Sequence, residues 1–326
     1  MHPRPRIAQA FSFILVLLAS AVALLAAATY RPPFGEWKRV SDQPALSPSG
    51  DLAGIFNPAV VKHHGEYYML TRSQNKRGTS FLQAATSKDG IHFTVTGNAL
   101  MPEAEYEKDG GVEDPRLVEI GGTYYLTYTG YNTKDTQLCL ATSKDLKQWE
   151  RKGVILPAYK GNWNVGWTKS GAIVTQKIDG KYWMYFLGTA SDKTDQTGLA
   201  SSPDLIHWTE ETKTPALPKR PGMWDSRVVE PGPPPIITKD GILLIYNGAD
   251  DKLIYQVGWA LFDKKDPRKL LARSEKPIFS PEKEWEKVGQ VPNVVFVEGL
   301  VRDGKRWLFY YGGADKYIGV AEATTE

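Results

Sequence analysis

Residues 111–116 read Gly-Val-Glu-Asp-Pro-Arg, which sets two adjacent carboxylates and a guanidinium just ahead of the apolar run Leu117–Ile120 and a Gly121-Gly122 turn. Polar residues recur at matching points further along: Asn57-Pro58, Lys169-Ser170-Gly171, Glu230-Pro231-Gly232 and Glu298-Gly299. Each interrupts an otherwise apolar stretch, and burying a polar group is unfavourable unless a site needs it. Asp114, Glu230 and Glu298 are thus acids in one phase. Cleavage of a glycosidic bond requires two separated carboxylates, one to give the leaving oxygen a proton and one to activate water or attack. The competing reading is that these acids cap turns or pair with cations, as Glu113 could with Arg116.

The elements that must position them repeat. Five hairpins, each an apolar strand, a turn and a strand dense in Tyr, Trp and Leu, centre on Gly65, Gly122, Gly180, Gly241 and Gly304. That spacing of about sixty residues suits a four-stranded blade with long connections. A second unit recurs at Ala85–Phe93, Ala141–Trp149 and Ala200–Trp208, where Ser-Lys-Asp or Ser-Pro-Asp makes a turn and an aromatic packs back. No helical apolar period persists beyond the N-terminal segment. The pattern predicts an all-β, five-bladed β-propeller over residues 31–326, whose innermost strands bring their polar residues to one central funnel.

Composition narrows the function. With 40 Lys and Arg against 37 Asp and Glu, the charge is nearly balanced and the cations are scattered, so no basic stripe suits nucleic acid. His63, His64, His92 and His207 fall on turns or outer strands, without a ligand spacing, and no metal is expected. Nucleotide and Gly-x-Ser-x-Gly signatures are missing from the sequence, and no cofactor is implied. Cys139 is the single cysteine and can form no disulfide within the chain.

Residues 1–30 stand apart. Arg4 and Arg6 precede an apolar run from Phe11 to Ala28 that ends in three alanines. The run fits a cleaved signal peptide or an uncleaved signal anchor equally. Either predicts export to the periplasm or cell exterior, and the second adds a membrane tether through residues 11–28.

Six segments together resemble glycoside hydrolase family 130, the β-mannoside phosphorylases and β-mannosidases. They are Phe56–Ala59, Gly111–Arg116, Asn162–Asn164, Gly232–Ile236, Val291–Phe296 and Ala314–Ala321, in order over nearly the whole chain after residue 30. The resemblance implies that Asp114 matches the family's proton-donating Asp, acting through the sugar 3-hydroxyl. It implies too that Asn57, Arg72, Glu113, Lys169 and Asp315 hold the mannose ring. Phosphorylases of the family carry Lys-Ile-Gly-Ala-Gly-Pro-Pro-Pro where this chain reads Val228–Pro235, so a cation is lost and Glu230 gained. A Tyr-His-Gly becomes Tyr246-Asn247-Gly248, and a small residue becomes Glu298.

Two carboxylates repel a phosphate dianion, which resembles the hydrolytic branch. The expectation is therefore an inverting β-mannosidase acting on an oligosaccharide or glycan. Asp114 supplies the proton, while Glu230 and Glu298, together or alone, activate water. Arg116 is expected to hold the Glu113-Asp114 turn. Arg227, beside the lost cation, is the residue best placed to restore an anion site, which keeps phosphorolysis as the alternative. Trp167, Tyr131 and Trp224 are candidate walls for the aglycone sugar or core residues. A non-catalytic glycan-binding propeller is the reading from another class.

Overall fold

The computed structural model describes residues 30–325. The N-terminal apolar run lies outside them. Five four-stranded antiparallel units follow one another along the chain, with little helix between them. The first comprises β2 (Leu52–His63), β3 (Glu66–Asn75), β4 (Ser80–Ser87) and β5 (Thr94–Leu100). The second is β6 (Gly111–Ile120), β7 (Thr123–Tyr131), β8 (Thr136–Ser143) and β9 (Glu150–Leu156). The third is β10 (Asn164–Ile173), β11 (Tyr182–Ala190), β12 (Asp195–Ser202) and the short β13 (Thr209–Glu210).

The fourth unit has a broken inner strand, β14 (Val228–Pro231) and β15 (Ile236–Ile237), both paired with β16 (Ile242–Ala249), then β17 (Tyr255–Phe262) and β18 (Leu270–Arg273). Pro233, Pro234 and Pro235 lack the N–H groups a ladder needs, which accounts for the break. In the fifth, β19 (Val295–Asp303), β20 (Arg306–Gly313) and β21 (Tyr317–Thr324) are joined by β1 (Lys38–Arg39) from the chain's beginning. Pairing Lys38 with Glu322 covers the edge that β21 would otherwise expose.

The units close into a ring. Five apolar clusters each join one unit to the next, and the last returns from the fifth to the first through Ile55, Met69, Leu308 and Tyr310. The architecture is β-propeller-like, and each unit is a blade. Phe34 and Trp37 pack into the cluster between blades four and five, so the N-terminal segment helps seal the ring. The repeated turns form as expected. Ser143 Oγ and Asp145 Oδ1 accept the amides of residues 145–148, and Ser87/Asp89 and Ser202/Asp204 do the same.

One feature of the inner strands bears on chemistry. Ladder register slips between Phe56 and Ala59, Glu113 and Arg116, Lys169 and Ala172, and Val297 and Gly299. These are β-bulges at the same level of four blades, and the Pro-rich break of blade four lies at the same level. Bulges re-aim side chains and recur beside active sites. Asn57, Asp114 and Ser170 sit there in left-handed backbone, at φ of 49°, 50° and 60°. The polar residues stand within the inner strands, with Asn57, Asp114, Ser170 and Glu298 at the bulges and Glu230 beside the Pro-rich break.

Candidate active site

Asp114 is the hub of the channel. It is 3% exposed, and its Oδ1 accepts from Asn57 Nδ2 at 2.9 Å and Arg72 Nη1 at 3.0 Å. The other end of the guanidinium donates from Nη2 to Glu113 Oε1 at 2.5 Å, and Ser80 Oγ meets the same oxygen at 3.0 Å. One arginine thus clamps both adjacent carboxylates. Burial pushes Asp114 up, but Arg72, Lys169 and Arg116 outweigh it and hold the carboxyl well below its ordinary range. Glu113 goes the other way: burial dominates over Arg72, and Asp114 adds like-charge repulsion. The two neighbouring carboxyls are thus shifted in opposite directions by their surroundings.

Arg116 is a structural clasp, as its expected role required. Its side chain is buried and donates to the carbonyls of Asp114 at 3.1 Å, Pro231 at 2.7 Å and Gly232 at 3.2 Å, tying blade two to blade four.

The two further acids are brought to the same channel. Glu230 is 2% exposed, accepts from Ser170 Oγ, and lies 3.2 Å from Lys169 Nζ. Glu298 is fully buried. Arg116 Nη1 approaches its Oε1 to 2.8 Å, yet off the hydrogen-bond direction, so neither oxygen of Glu298 receives a hydrogen bond from the protein. Burial pushes the Glu298 carboxyl well above its ordinary value; Arg116 opposes this, and Asp114 and Glu230 add to it. Asn57 Oδ1 is likewise buried without a partner. Buried acceptors of this kind, gathered on one axis, suit a ligand rich in hydroxyl donors.

Asp315 joins the group at φ 51°, with burial, partly offset by Arg72, raising its carboxyl to about 6. Lys169, despite burial, is pushed up by Glu230 and Asp114. Arg227 is exposed at the entry to β14, three residues ahead of Glu230, and no hydrogen bond or ion pair holds its guanidinium among the described residues. Trp167 is 45% exposed at the channel rim, and its Nε1 donates to Tyr159 OH at 3.0 Å. Trp224 instead stacks on Tyr246 and fills the space over Gly248 and Gly258, a packing role. Tyr131 lies against Gly110.

Sequence reasoning missed Ser80, which steadies Glu113, and Tyr255, whose hydroxyl is pushed up by burial and by Glu230 near the channel. Ser170 was legible through its phase with Asn57 and Asp114; Tyr255 opens β17 just after an ordinary second-to-third-strand turn and carries no such signal. Asn247 does not face the channel as a free group. Its amide donates to Val297 O at 3.0 Å and accepts from Val297 N at 2.8 Å, which fixes the backbone next to Glu298. Among the described residues no group of His, Cys, Asp and Glu is arranged to hold a metal.

The family profile described as beta-1,4-mannooligosaccharide phosphorylase matches residues 32–326. The chain belongs to glycoside hydrolase family 130. The 1,2-beta-oligomannan phosphorylase of Thermoanaerobacter sp. (strain X514) is 40% identical over 299 residues, covering 87% of this chain and 96% of that protein. The Listeria innocua beta-1,2-mannobiose phosphorylase, solved with beta-1,2-mannobiose, superposes with a TM-score of 0.80 at 27% identity, covering 89% of this chain and 97% of that one. A further solved protein, from work describing glycoside hydrolases of this family that target beta-1,2 mannosidic linkages in Candida mannan, is 33% identical. It has a TM-score of 0.81 and covers 91% of this chain and 98% of that one. The family 130 chain is thus an enzyme acting on β-mannosides. Phosphorolysis is the activity named for these curated relatives, so the comparisons by name favour the alternative of the sequence reading over hydrolysis.

Proposed function

We propose that this family 130 protein hydrolyses β-mannosides, with β-1,2-linked mannosides as substrate, inverting the anomeric carbon. The observation that carries this is Glu298: a fully buried carboxyl, free of hydrogen bonds from the protein, beside Glu230 in the channel. Arg72, Arg116 and Lys169 lie there among five carboxyl groups, Glu113, Asp114, Glu230, Glu298 and Asp315. Asp114 already engages Arg72 at 3.0 Å, Glu230 lies 3.2 Å from Lys169, and Arg116 is tied to backbone carbonyls, so none of these three cations is free to hold a phosphate dianion. A neutral water needs no such partner.

The two acids divide the work by their surroundings. Glu230, steadied by Lys169 and Ser170, takes the proton of the attacking water. Glu298, kept neutral by burial, donates a hydrogen bond to that water and orients it. Two neighbouring carboxyls that share one proton are a recurrent way to poise a nucleophilic water. On the other face of the sugar, Asp114 sends a proton to the leaving oxygen, directly or through a sugar hydroxyl. Arg72, Lys169 and Arg116 hold it ionised in the free enzyme; as substrate draws Arg72 onto its own hydroxyls, Asp114 takes up from solvent the proton it passes on, and Glu230 returns its proton to solvent when product leaves. Asn57, Arg72, Glu113, Lys169 and Asp315 hold the mannose ring.

The test is incubation with β-1,2-mannobiose with and without phosphate, separating mannose from mannose 1-phosphate. Mannose at a phosphate-independent rate supports the reading, and a strict phosphate requirement overturns it. Phosphorolysis is the second reading. It is favoured by the curated relatives and by Arg227, an exposed cation three residues ahead of Glu230 whose guanidinium has no hydrogen-bond or ion-pair partner among the described residues. We further propose export through residues 1–30, as a cleaved signal peptide or with residues 11–28 as a membrane tether; Tyr30, where the described residues start, packs edge-on against Trp259 at 5.0 Å.

A further inference from the structure

Three blades share a buried staple that the third blade has rewritten. In blade two, Glu107 accepts from Tyr128 OH at 2.8 Å and Arg151 Nε at 3.0 Å. In blade four, Asp225 accepts from Tyr246 OH at 2.8 Å and Arg273 Nη2 at 2.6 Å. In blade five, Glu286 accepts from Tyr311 OH at 2.9 Å and Arg39 Nε at 2.7 Å. The pattern is constant: an acid just ahead of the blade, a tyrosine on its second strand and an arginine on its outermost strand. The acid always follows an aromatic residue, giving Tyr106-Glu107, Trp224-Asp225 and Trp285-Glu286. The arginine also reaches a carbonyl six or seven residues ahead of that acid, at Met101, Pro218 and Ser280.

Blade three puts Trp163-Asn164 at the aromatic–acid position, Phe186 at the tyrosine and Glu210 at the arginine. The matching glycines confirm the register. A Cβ on Gly188 would strike Asn164 and Trp163, as one on Gly248 would strike Trp224 and Asp225. With no arginine at this place, the blade has a crevice of about 270 Å³ whose lining includes Pro157, Asn162, Asn164, Phe186, Trp208 and Glu210, with the exposed Lys160 as its one cationic residue. Asn164 is 2% exposed, and neither its Oδ1 nor Glu210 Oε1 nor Thr212 Oγ1 has a hydrogen-bond partner. Trp163 Nε1 and the Thr212 hydroxyl are the orphaned donors there. Glu210 Oε2 is fixed by the Asn162 amide at 2.6 Å, which leaves Oε1 to the crevice. Only glycine at 161 leaves room for Asn164, whose Oδ1 lies 1.0 Å from where a Cβ would stand.

We infer that this crevice binds a guanidinium-type cation, with Glu210 and Asn164 as its main acceptors and the carbonyl of Pro157 or Ala158 as the third. The ligand takes the place that Arg151, Arg273 and Arg39 take in their own blades. Its source is a free small cation or an arginine side chain from outside. The loop over the crevice carries Tyr159, which accepts from Trp167 at the channel rim, so an occupied crevice braces the rim.

The probe is methylguanidinium chloride, titrated into the whole protein and followed by calorimetry, with tetramethylammonium as a cation lacking N–H donors. Saturable binding of methylguanidinium alone is expected, weakened about tenfold or more by Glu210→Gln as a charge-assisted hydrogen bond is lost. Asn164→Asp, which adds a negative charge at constant shape, tightens binding, a gain that misfolding cannot produce. The triple change Asn164→Glu, Phe186→Tyr, Glu210→Arg supplies the staple from within; it abolishes binding and raises the melting temperature. A Gly-Arg-Gly peptide that binds at least as tightly points to a protein arginine, and weaker peptide binding points to a free cation. Absent saturation, equal binding of tetramethylammonium, or calcium binding in place of methylguanidinium overturns the inference.

Discussion

Replacing Glu298 by Gln separates two descriptions of that residue by the sign of a stability change. If Glu298 were an ordinary buried ion-pair partner of Arg116, 2.8 Å away, removing its charge would leave Arg116 uncompensated and cost about 3–5 kcal/mol. The structure predicts otherwise, because burial raises the carboxyl well above its ordinary 4.5. A raised folded-state value means that the native protein binds more protons than the unfolded chain above pH 4.5. Stability is then lost as pH rises, at about 1.4 kcal/mol per pH unit for one group until the folded-state value is passed. By pH 7 the wild type has lost up to about 3 kcal/mol that Gln does not lose, on the order of 5 °C in a chain of this size. Thermal unfolding of both proteins from pH 4 to 8 is the assay. The curves should meet near pH 4.5 and part above it, with Glu298→Gln the more stable and hydrolysis lost. Parallel curves, or a variant less stable at pH 7, would refute a neutral Glu298 and with it the division of roles between the two acids.

Other perturbations test neighbouring parts of the site. Arg72→Met strips the clamp from Glu113 and Asp114 and should destabilise the fold by about 3 kcal/mol at neutral pH. That loss starts to shrink as pH falls below the ordinary 3.8, since the contribution of a depressed carboxyl is full above that value and fades below it toward the folded-state value; denaturant midpoints at pH 7 and 3 check it. Asp114→Asn should abolish turnover, by about a thousandfold or more, while retaining mannobiose binding by calorimetry; unchanged product release would remove Asp114 from the proton-donating role. Asn247→Ala leaves both backbone groups of Val297 unpaired and should cost about 2 kcal/mol, with kcat falling more than affinity because Glu298 is displaced. A Glu230→Gln variant should bind substrate and fail in turnover, read by single-turnover kinetics.

The fold was legible because the repeat is physical. Each blade needs an apolar inner strand, a tight turn and an aromatic second strand, and the glycines of those turns mark the period. Asn57, Asp114, Glu230 and Glu298 were legible for the same reason, as polar residues at one phase of buried strands. The bulge that aims them was not, because a register slip depends on pairing between strands rather than on either strand alone. Nor were the opposite shifts of Glu113 and Asp114. The two are sequence neighbours of similar chemistry, and only the placement of Arg72, Arg116 and Lys169 around one of them divides them. The rewritten staple of blade three was hidden too, since Asn164, Phe186 and Glu210 acquire meaning only beside their counterparts in other blades. Residues 11–28, expected to direct export, lie outside the described structure.

The most direct test of the account is a single-turnover reaction with β-1,2-mannobiose in H₂¹⁸O and phosphate, followed by NMR and mass spectrometry before mutarotation. The account predicts α-mannose as first product, with one ¹⁸O at its anomeric carbon, formed at a rate indifferent to phosphate. Unlabelled α-mannose 1-phosphate, formed only when phosphate is present, would contradict it and return Arg227 to the centre of an anion site.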